Sequence, residues 1–263
     1  MNLDEKIISA LKDLNYEEAT EIQKKAIPIA LKKRDILAAA QSGTGKTAAF
    51  LLPILTEIME NKQPNVPILR ALILVPTREL ATQIAKAVED YAKYLDIEKL
   101  AVVGGVSTKD QEKKIAKGID ILVATSGRLM EHLKNKTVDL SSVTTVVIDE
   151  VDTLLDMGFL EDIESILPNV GPHRQIMMFS ATMNQNVKKL AKEFLTDPVV
   201  IEVAQQRSAV KIIEQQIIEV DEAQKAPLLS YLIGSRNYSQ VLVFVNMKIE
   251  ADTLVEHLEL DGL

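Results

Sequence analysis

A short loop with two glycines and a lysine contains the residues whose types and spacing point most clearly to chemistry. It lies between a predicted strand and a predicted helix and reads Ala40-Gln41-Ser42-Gly43-Thr44-Gly45-Lys46-Thr47. Glycines allow backbone N–H groups to turn inward around an anion, and the positive end of a helix dipole strengthens that attraction. We expect the Lys46 amine to reach the terminal phosphates of a nucleotide and the Thr47 hydroxyl to face Mg²⁺. The loop therefore predicts a nucleoside triphosphate site.

Two adjacent carboxylates follow a buried apolar run further along the chain. Asp149 and Glu150 come directly after Val146–Ile148. Asp149 is predicted to hold Mg²⁺, largely through water, and Glu150 to orient and deprotonate an attacking water molecule. An acidic pair at a strand end is often only a helix cap, but the phosphate loop upstream favours a catalytic role. With Lys46, the pair predicts Mg²⁺-dependent hydrolysis of a nucleoside triphosphate.

The elements that must position these residues alternate along most of the chain. Short, nearly continuous apolar runs predict strands over 35–40, 71–76, 100–105, 120–125, 144–150 and 176–182. Apolar residues at helical spacing predict helices over 47–61, 79–95 and 184–195. This alternation predicts an α/β fold, in which a parallel sheet with right-handed crossovers has helices on both faces. Both motifs stand at the carboxyl ends of strands, where such sheets place their chemistry.

A second pattern of strands and helices begins after a polar stretch without clear period. Strands are predicted over 212–220 and 240–246, and helices over 225–234 and 249–260. These elements are too few for an independent α/β domain, because a half-built sheet leaves an edge and a face uncovered. The predicted organisation is a first domain, a linker, and the beginning of a second α/β domain that is truncated at Leu263; these cover 1–206, 207–211 and 212–263.

The composition excludes several classes of protein. Apolar residues make up 47% of the 263 residues, enough for a sizeable core, so a disordered chain is excluded. Cysteine is absent, which excludes disulfides, thiolate metal sites and a cysteine nucleophile. The three histidines, His132, His173 and His257, have no metal-ligand spacing. The net charge of -8 argues against broad electrostatic binding of nucleic acid but leaves room for a local basic groove. We expect a cytoplasmic protein without a membrane span or signal peptide.

Read together, the motifs resemble those of DEAD-box RNA helicases of the bacterial type, in family order from about residue 15 to residue 247. The matching segments are Gln41–Thr47, Pro76–Ala81, Gly104–Gly105, Thr125–Leu129, Asp149–Asp152, Ser180–Thr182 and Val241–Asn246. The resemblance implies a RecA-like P-loop fold, ATP and Mg²⁺ as cofactors, and RNA as a partner. Within the motifs, Val151 replaces alanine and Ser126 replaces proline; we expect only a small packing change at Val151.

The resemblance also implies roles for individual residues. Segment Asn15–Gln23 is similar to the adenine-reading Q motif of the family, in which a glutamine amide donates to and accepts from the adenine edge. The implied nucleotide-binding residues are Tyr16, Thr20, Gln23, Ser42, Gly43, Thr44, Gly45, Lys46 and Thr47. The implied contacts to the RNA backbone are Pro76, Thr77, Arg78, Gly105, Thr125, Gly127 and Arg128. Hydrogen bonds from Ser180 and Thr182 to Asp152 are implied to couple the two sites.

The second domain of the family supplies arginines that stabilise the phosphoryl-transfer transition state. The sequence contains no His-Arg-x-Gly-Arg-x-x-Arg stretch. We therefore expect the whole protein to be an ATP-dependent RNA helicase that separates short duplexes or remodels RNA–protein particles, and this polypeptide to bind nucleotide with weak or no turnover. Two alternatives stay open. One is a DNA-dependent ATPase, and the other is an ATP-switched RNA clamp in which hydrolysis is not essential.

Overall fold

The structure is a computed structural model that describes residues 3–61, 68–203, 214–236 and 238–263. The chain divides into two compact units, Met1–Gln205 and Gln206–Leu263, which are described separately. The predicted linker over 207–211 lies outside the described residues. No helix of the described segments is long and apolar enough to cross a membrane.

The first unit is built on a seven-stranded parallel sheet with the order β3-β4-β2-β5-β6-β1-β7. The strands are β1 Ile36–Ala39, β2 Ala71–Val75, β3 Lys99–Val102, β4 Ile121–Thr125, β5 Thr145–Ile148, β6 Gln175–Ser180 and β7 Val199–Glu202. The central strands β2, β5 and β6 are buried at every position, whereas the edge strands β3 and β7 include more exposed residues. The predicted parallel α/β sheet is thus confirmed, because strands covered on both faces need continuous apolar runs.

Helices cover both faces of this sheet. They are α1 Glu5–Asp13, α2 Glu21–Ala30, α3 Lys46–Asn61, α4 Arg78–Tyr91, α5 Thr108–Ala116, α6 Ser126–Lys134, α7 Val151–Asp156, α8 Leu160–Ile166 and α9 Gln185–Phe194. Alternate residues of one strand enter opposite cores: Met177 and Phe179 of β6 pack with α1–α4, while Ile176 and Met178 pack on the other face with α6–α9. The three helices predicted in this unit are confirmed, although α4 ends at Tyr91, four residues earlier than expected.

The described residues of the second unit form two α-helices, α10 Lys225–Arg236 and α11 Lys248–Leu260, which confirm the two helices predicted there. The predicted strands are wrong for the described residues, since neither 214–220 nor 240–246 forms a strand. A strand requires a hydrogen-bonded partner and covered faces, yet Leu242 is 79% exposed and Phe244 is 86% exposed. The assignment of 212–263 to the start of a second helicase domain stays a prediction.

Candidate functional site

Apart from the N-terminal segment Asn15–Gln23, every predicted site loop of the first unit follows the carboxyl end of a strand, so these loops meet at one edge of the sheet. The strand order separates these loops into two groups. The loops after β1, β5 and β6 contain the phosphate motif, the acidic pair and Ser180–Thr182, and these strands are neighbours. The loops after β2, β3 and β4 contain the predicted RNA contacts, and these strands are also neighbours. The two kinds of chemistry therefore occupy adjoining halves of one edge.

A cleft of about 580 Å³ lies over the first group of loops. Its lining includes every predicted nucleotide-binding and catalytic residue except Thr44, namely Tyr16, Thr20, Gln23, Ser42, Gly43, Gly45, Lys46, Thr47, Asp149 and Glu150. The hydroxyl of Thr44 instead donates a 2.7 Å hydrogen bond to the Gln41 carbonyl. That bond closes the loop on itself, so Thr44 supports the loop shape rather than the cleft surface.

Gln23 ties the N-terminal segment to the phosphate loop. Its Oε1 accepts a 3.0 Å hydrogen bond from the Thr20 backbone N–H, and its Nε2 donates a 3.1 Å hydrogen bond to the Gly45 carbonyl. Thr20 caps α2, so the pair forms a capping box at that helix start. Both ends of the Gln23 amide are thus engaged within the chain. Each end keeps one further site, a second N–H and a second lone pair, and adenine reading by this side chain stays a prediction.

Replacing either glycine of the phosphate loop with alanine adds a methyl group, and the expected effect on stability differs between the two positions. Both have left-handed backbones, with φ of +80° at Gly43 and +93° at Gly45, so alanine at either costs about 1–2 kcal/mol. At Gly45 the new Cβ would also lie 2.5 Å from Gln23 Nε2, whereas at Gly43 it meets nothing within 4 Å. We expect Gly45→Ala to lower the unfolding free energy by about 1–2 kcal/mol more than Gly43→Ala, measured by denaturation without nucleotide. Equal losses at the two positions would contradict this account of the contact.

Lys46 and Asp149 form a buried pair of opposite charge at the bottom of the cleft. Lys46 begins α3 and is 6% exposed, and its amine has no hydrogen-bond partner among the described residues. Burial raises the pKa of Asp149 to about 6, although the positive charge of Lys46 opposes this shift. A buried amine without a partner is costly unless an anion satisfies it. The site therefore fits a phosphate group at Lys46 and a cation at the Asp149 carboxylate.

Glu150 adopts an uncommon backbone conformation between β5 and α7. Its φ and ψ are both 51°, which is the left-handed region that favours glycine. A side chain there costs about 1–2 kcal/mol, and such strain persists mainly where the surrounding structure holds it. The Glu150 backbone N–H donates a 3.0 Å hydrogen bond to Asp149 Oδ1. The neighbouring Val151 is fully buried, consistent with the packing role expected from the sequence.

Asp152 on α7 is held by the loop that follows β6. The Thr182 backbone N–H and hydroxyl both donate to Asp152 Oδ2, at 3.0 and 2.9 Å. Burial would raise the pKa of Asp152, but the bonds from Thr182 and its neighbours outweigh burial and lower that pKa. The Ser180 side chain also helps to lower the Asp152 pKa, although its buried hydroxyl has no hydrogen-bond partner within the geometric limits in the described structure. The coupling role expected of Ser180 stays a prediction.

A second, more open groove of about 640 Å³ lies over the other half of the edge. Its lining includes every predicted RNA contact except Gly105, namely Pro76, Thr77, Arg78, Thr125, Gly127 and Arg128, together with Gly104. Gly105 stands beside Gly104, and a Cβ on it would collide with Arg78 Nη1. The Arg78 Nη1 also donates a 3.4 Å hydrogen bond to the Gly104 carbonyl. The glycine turn is therefore closely covered by this guanidinium.

Arg128 is held more firmly than Arg78. Its side chain is 13% exposed and forms a 3.2 Å ion pair with Glu131, three residues further along α6. It also donates a short hydrogen bond to the Thr108 hydroxyl at the start of α5. These contacts fix the guanidinium at the groove wall, where it can donate to a phosphate with little loss of rotamer entropy.

Tyr91 lines the first cleft but was missed from the sequence. Its hydroxyl lies 3.2 Å from that of Tyr16, and the two rings meet edge to face with centroids 6.0 Å apart. Burial raises the pKa of Tyr91 above its usual value, so the phenol stays protonated. The two tyrosines are 75 residues apart, and no local pattern could predict their contact. It arises because the end of α4 packs beside the N-terminal segment.

Comparison with known proteins agrees with this architecture. A protein-family model described as "DEAD/DEAH box helicase" matches residues 20–190. The chain is 38% identical over 261 residues to the DEAD-box ATP-dependent RNA helicase CshA of Bacillus subtilis, a match that covers 99% of this chain and 52% of the relative. It is 38% identical over 260 residues to the ATP-dependent RNA helicase CshA of Listeria monocytogenes, covering 99% and 49%.

The chain thus spans about half the length of the curated relatives it matches. The family match includes the phosphate loop, the acidic pair and the groove residues in one continuous segment. The parallel sheet with helices on both faces is consistent with a RecA-like helicase domain. From the motifs, the sheet and the match over more than half of its residues, we conclude that the chain belongs to the DEAD/DEAH box helicase family.

Proposed function

We propose that this protein is an ATP-dependent RNA helicase, in which binding and hydrolysis of Mg-ATP in the first cleft drive local RNA unwinding or remodelling of RNA–protein particles. The observation that supports this most directly is the buried Lys46 amine without a partner, which lies close enough to the Asp149 carboxylate to lower its pKa. Both relatives described above are named ATP-dependent RNA helicases, which points to the same activity.

The proposed roles follow from where each side chain lies. The loop from Ser42 to Thr47 would receive the phosphates, with Lys46 neutralising their charge. Thr47 and Asp149 would hold Mg²⁺, largely through water, and the ion when bound neutralises charge on the phosphate oxygens. Glu150 would orient and deprotonate the attacking water. Tyr16, Thr20 and Gln23 would bind the adenine.

The second groove is proposed to bind the RNA backbone. Its donors are hydroxyls, backbone N–H groups and two guanidinium groups, and these recognise phosphate and sugar rather than base edges. Little sequence preference is therefore expected. The neighbouring halves of the sheet edge are proposed to communicate through Asp152 and Thr182, because α7 follows the acidic pair directly.

Arg128 provides the test of the RNA surface. We expect Arg128→Ala to weaken binding of a labelled oligouridine about 10- to 100-fold, the loss of one charge-assisted phosphate contact, without changing nucleotide affinity. The plot of the logarithm of the binding constant against the logarithm of the salt concentration should become less steep by about one unit of slope. Fluorescence anisotropy at several salt concentrations measures both effects. Arg34→Ala is the matched control. Arg34 precedes β1 at the amino ends of the strands, where its exposed side chain forms an ion pair with Asp197. Equal losses in the two variants would remove the groove assignment.

ATP hydrolysis with and without single-stranded RNA tests the function itself. Weak turnover by these 263 residues, with clear nucleotide binding, is the expected result. Stimulation by single-stranded DNA equal to that by RNA would favour the DNA-dependent ATPase. A variant of the full-length protein that cannot hydrolyse ATP gives the test of the clamp. ATP-dependent RNA binding that is the same in this variant as in the unchanged protein would favour the clamp. Failure to bind any nucleotide would overturn the proposal.

A further inference from the structure

Two buried polar side chains form a bridge inside the core behind the second groove. Gln111 of α5 is 3% exposed and His132 of α6 is fully buried. Gln111 Nε2 donates a 3.0 Å hydrogen bond to the Val103 carbonyl, and Gln111 Oε1 lies 3.0 Å from His132 Nε2. On the other side of the ring, His132 Nδ1 lies 2.7 Å from the Thr137 hydroxyl. The bridge thus joins the end of β3, two helices and the turn after α6.

The hydrogen bond from Gln111 to Val103 fixes the direction of the bond between Gln111 and His132. Because the Gln111 amide nitrogen donates to the Val103 carbonyl, the amide oxygen faces the imidazole and must accept from His132 Nε2–H. Burial lowers the pKa of His132, and the positive charge of Arg128 lowers it further, which favours the neutral ring. In that form His132 Nδ1 accepts from the Thr137 hydroxyl, whose oxygen also lies 3.2 Å from the His132 carbonyl. The Gln111 amide and both ring nitrogens of His132 thus have hydrogen-bond partners.

This bridge lies directly behind the groups that line the groove. Val103 is followed by the Gly104–Gly105 turn, whose outer side is covered by Arg78. His132 stands one helical turn beyond Arg128 on α6. The turn is therefore held from the groove side by a guanidinium and from the core side by Gln111. Nothing in the chemistry proposed for the nucleotide uses either Gln111 or His132.

We propose that Gln111 and His132 are positioning residues that set the spacing between the Gly104–Gly105 turn and Arg128, and hence between two contacts to the RNA backbone. This inference rests on the proposed function of the groove. Apolar side chains could fill the same volume, since the surrounding cluster contains Leu122, Leu129 and Leu140. Apolar contacts, however, have no preferred direction, whereas the hydrogen-bonded bridge defines both distance and orientation.

The test compares RNA affinity with stability in matched variants of the full chain. Gln111→Leu and His132→Leu remove the bridge, and Gln111→Met keeps the length of the side chain but can neither donate to the Val103 carbonyl nor accept from His132. His132→Gln retains a donor near the Nε2 position and is the rescue variant. Thr145→Val is the control. Thr145 is the first residue of β5, at the amino ends of the strands, and this change removes its partly buried 2.9 Å hydrogen bond to Glu57. Oligouridine affinity, Mg-ATP affinity and the unfolding midpoint are measured for each.

We expect Gln111→Leu, Gln111→Met and His132→Leu to weaken oligouridine binding about tenfold, with Mg-ATP affinity unchanged. Thr145→Val should lose comparable stability and keep its RNA affinity, and His132→Gln should recover most of the loss. Oligouridine binding by the Gln111 variants equal to that of Thr145→Val would overturn the inference and leave the proposed function intact. Absence of binding by the unchanged chain would overturn both. If Gln111→Leu does not fold, Gln111→Met decides by the same criteria.

Discussion

Replacing Lys46 with alanine is expected to weaken Mg-ATP binding at least about a hundredfold while leaving the stability of the nucleotide-free chain nearly unchanged. The first effect follows because the amine would make charge-assisted contacts to phosphate, worth roughly 3 kcal/mol in total. The second follows because the change removes two opposing contributions, the cost of a buried amine that has no hydrogen-bond partner within the described structure and its attraction to the Asp149 carboxylate. The pKa of Asp149 should then rise, because in the unchanged chain the positive charge of Lys46 lowers it.

Calorimetric titration measures the affinity for Mg-ATP, and thermal unfolding measures stability with and without the nucleotide. The unchanged chain should be stabilised by Mg-ATP, and the Lys46→Ala chain should not be. Lys117→Ala is the control, because Lys117 is an exposed lysine on the cap of α5, away from the cleft. A large loss of stability without nucleotide would mean that Lys46 supports the fold. Unchanged affinity would remove the phosphate-loop assignment.

Replacing Glu150 with glutamine is expected to slow hydrolysis by about 10²–10⁴-fold without weakening nucleotide binding. Glutamine matches the shape of the side chain and keeps the left-handed backbone, but it cannot accept the proton of the attacking water. Single-turnover measurement with protein in excess over labelled ATP is suited to this chain, because it resolves slow hydrolysis. Binding is measured separately by titration.

Glu161→Gln is the control for the loss of one carboxylate, since Glu161 is an exposed residue of the first turn of α8. It should hydrolyse ATP at the rate of the unchanged chain. Hydrolysis by Glu150→Gln at that same rate would show that another group activates the water. A parallel loss of binding and hydrolysis would instead assign Glu150 a role in holding the nucleotide.

Several features of the site were predictable because their signals are local. The phosphate loop needs only glycines, a lysine and a threonine between a strand and a helix, and the structure begins α3 at Lys46 as that spacing requires. Buried parallel strands must be apolar at successive positions, which made runs such as Ala71–Val75 recognisable. The left-handed backbone at Glu150 has no such signal, because a non-glycine residue there is held by its surroundings.

Contacts between distant segments had no sequence signal. Tyr16 meets Tyr91, and Gln23 meets the Gly45 carbonyl instead of remaining free. The strand predictions over 212–220 and 240–246 failed in the described residues because apolar alternation shows only that a segment could pair. Pairing also requires a neighbouring strand, and the described part of that unit forms none.

The sequence by itself determined that the phosphate loop, the acidic pair and the other motifs after residue 40 follow parallel strands, because motif spacing and apolar runs are properties of short segments. Only the tertiary structure decided how these loops are grouped. Crossover helices allow successive strands to insert at different places in a sheet, so chain order does not define spatial order. The order β3-β4-β2-β5-β6-β1-β7 brings the loops of β5, β6 and β1 into one cleft and those of β3, β4 and β2 into one groove.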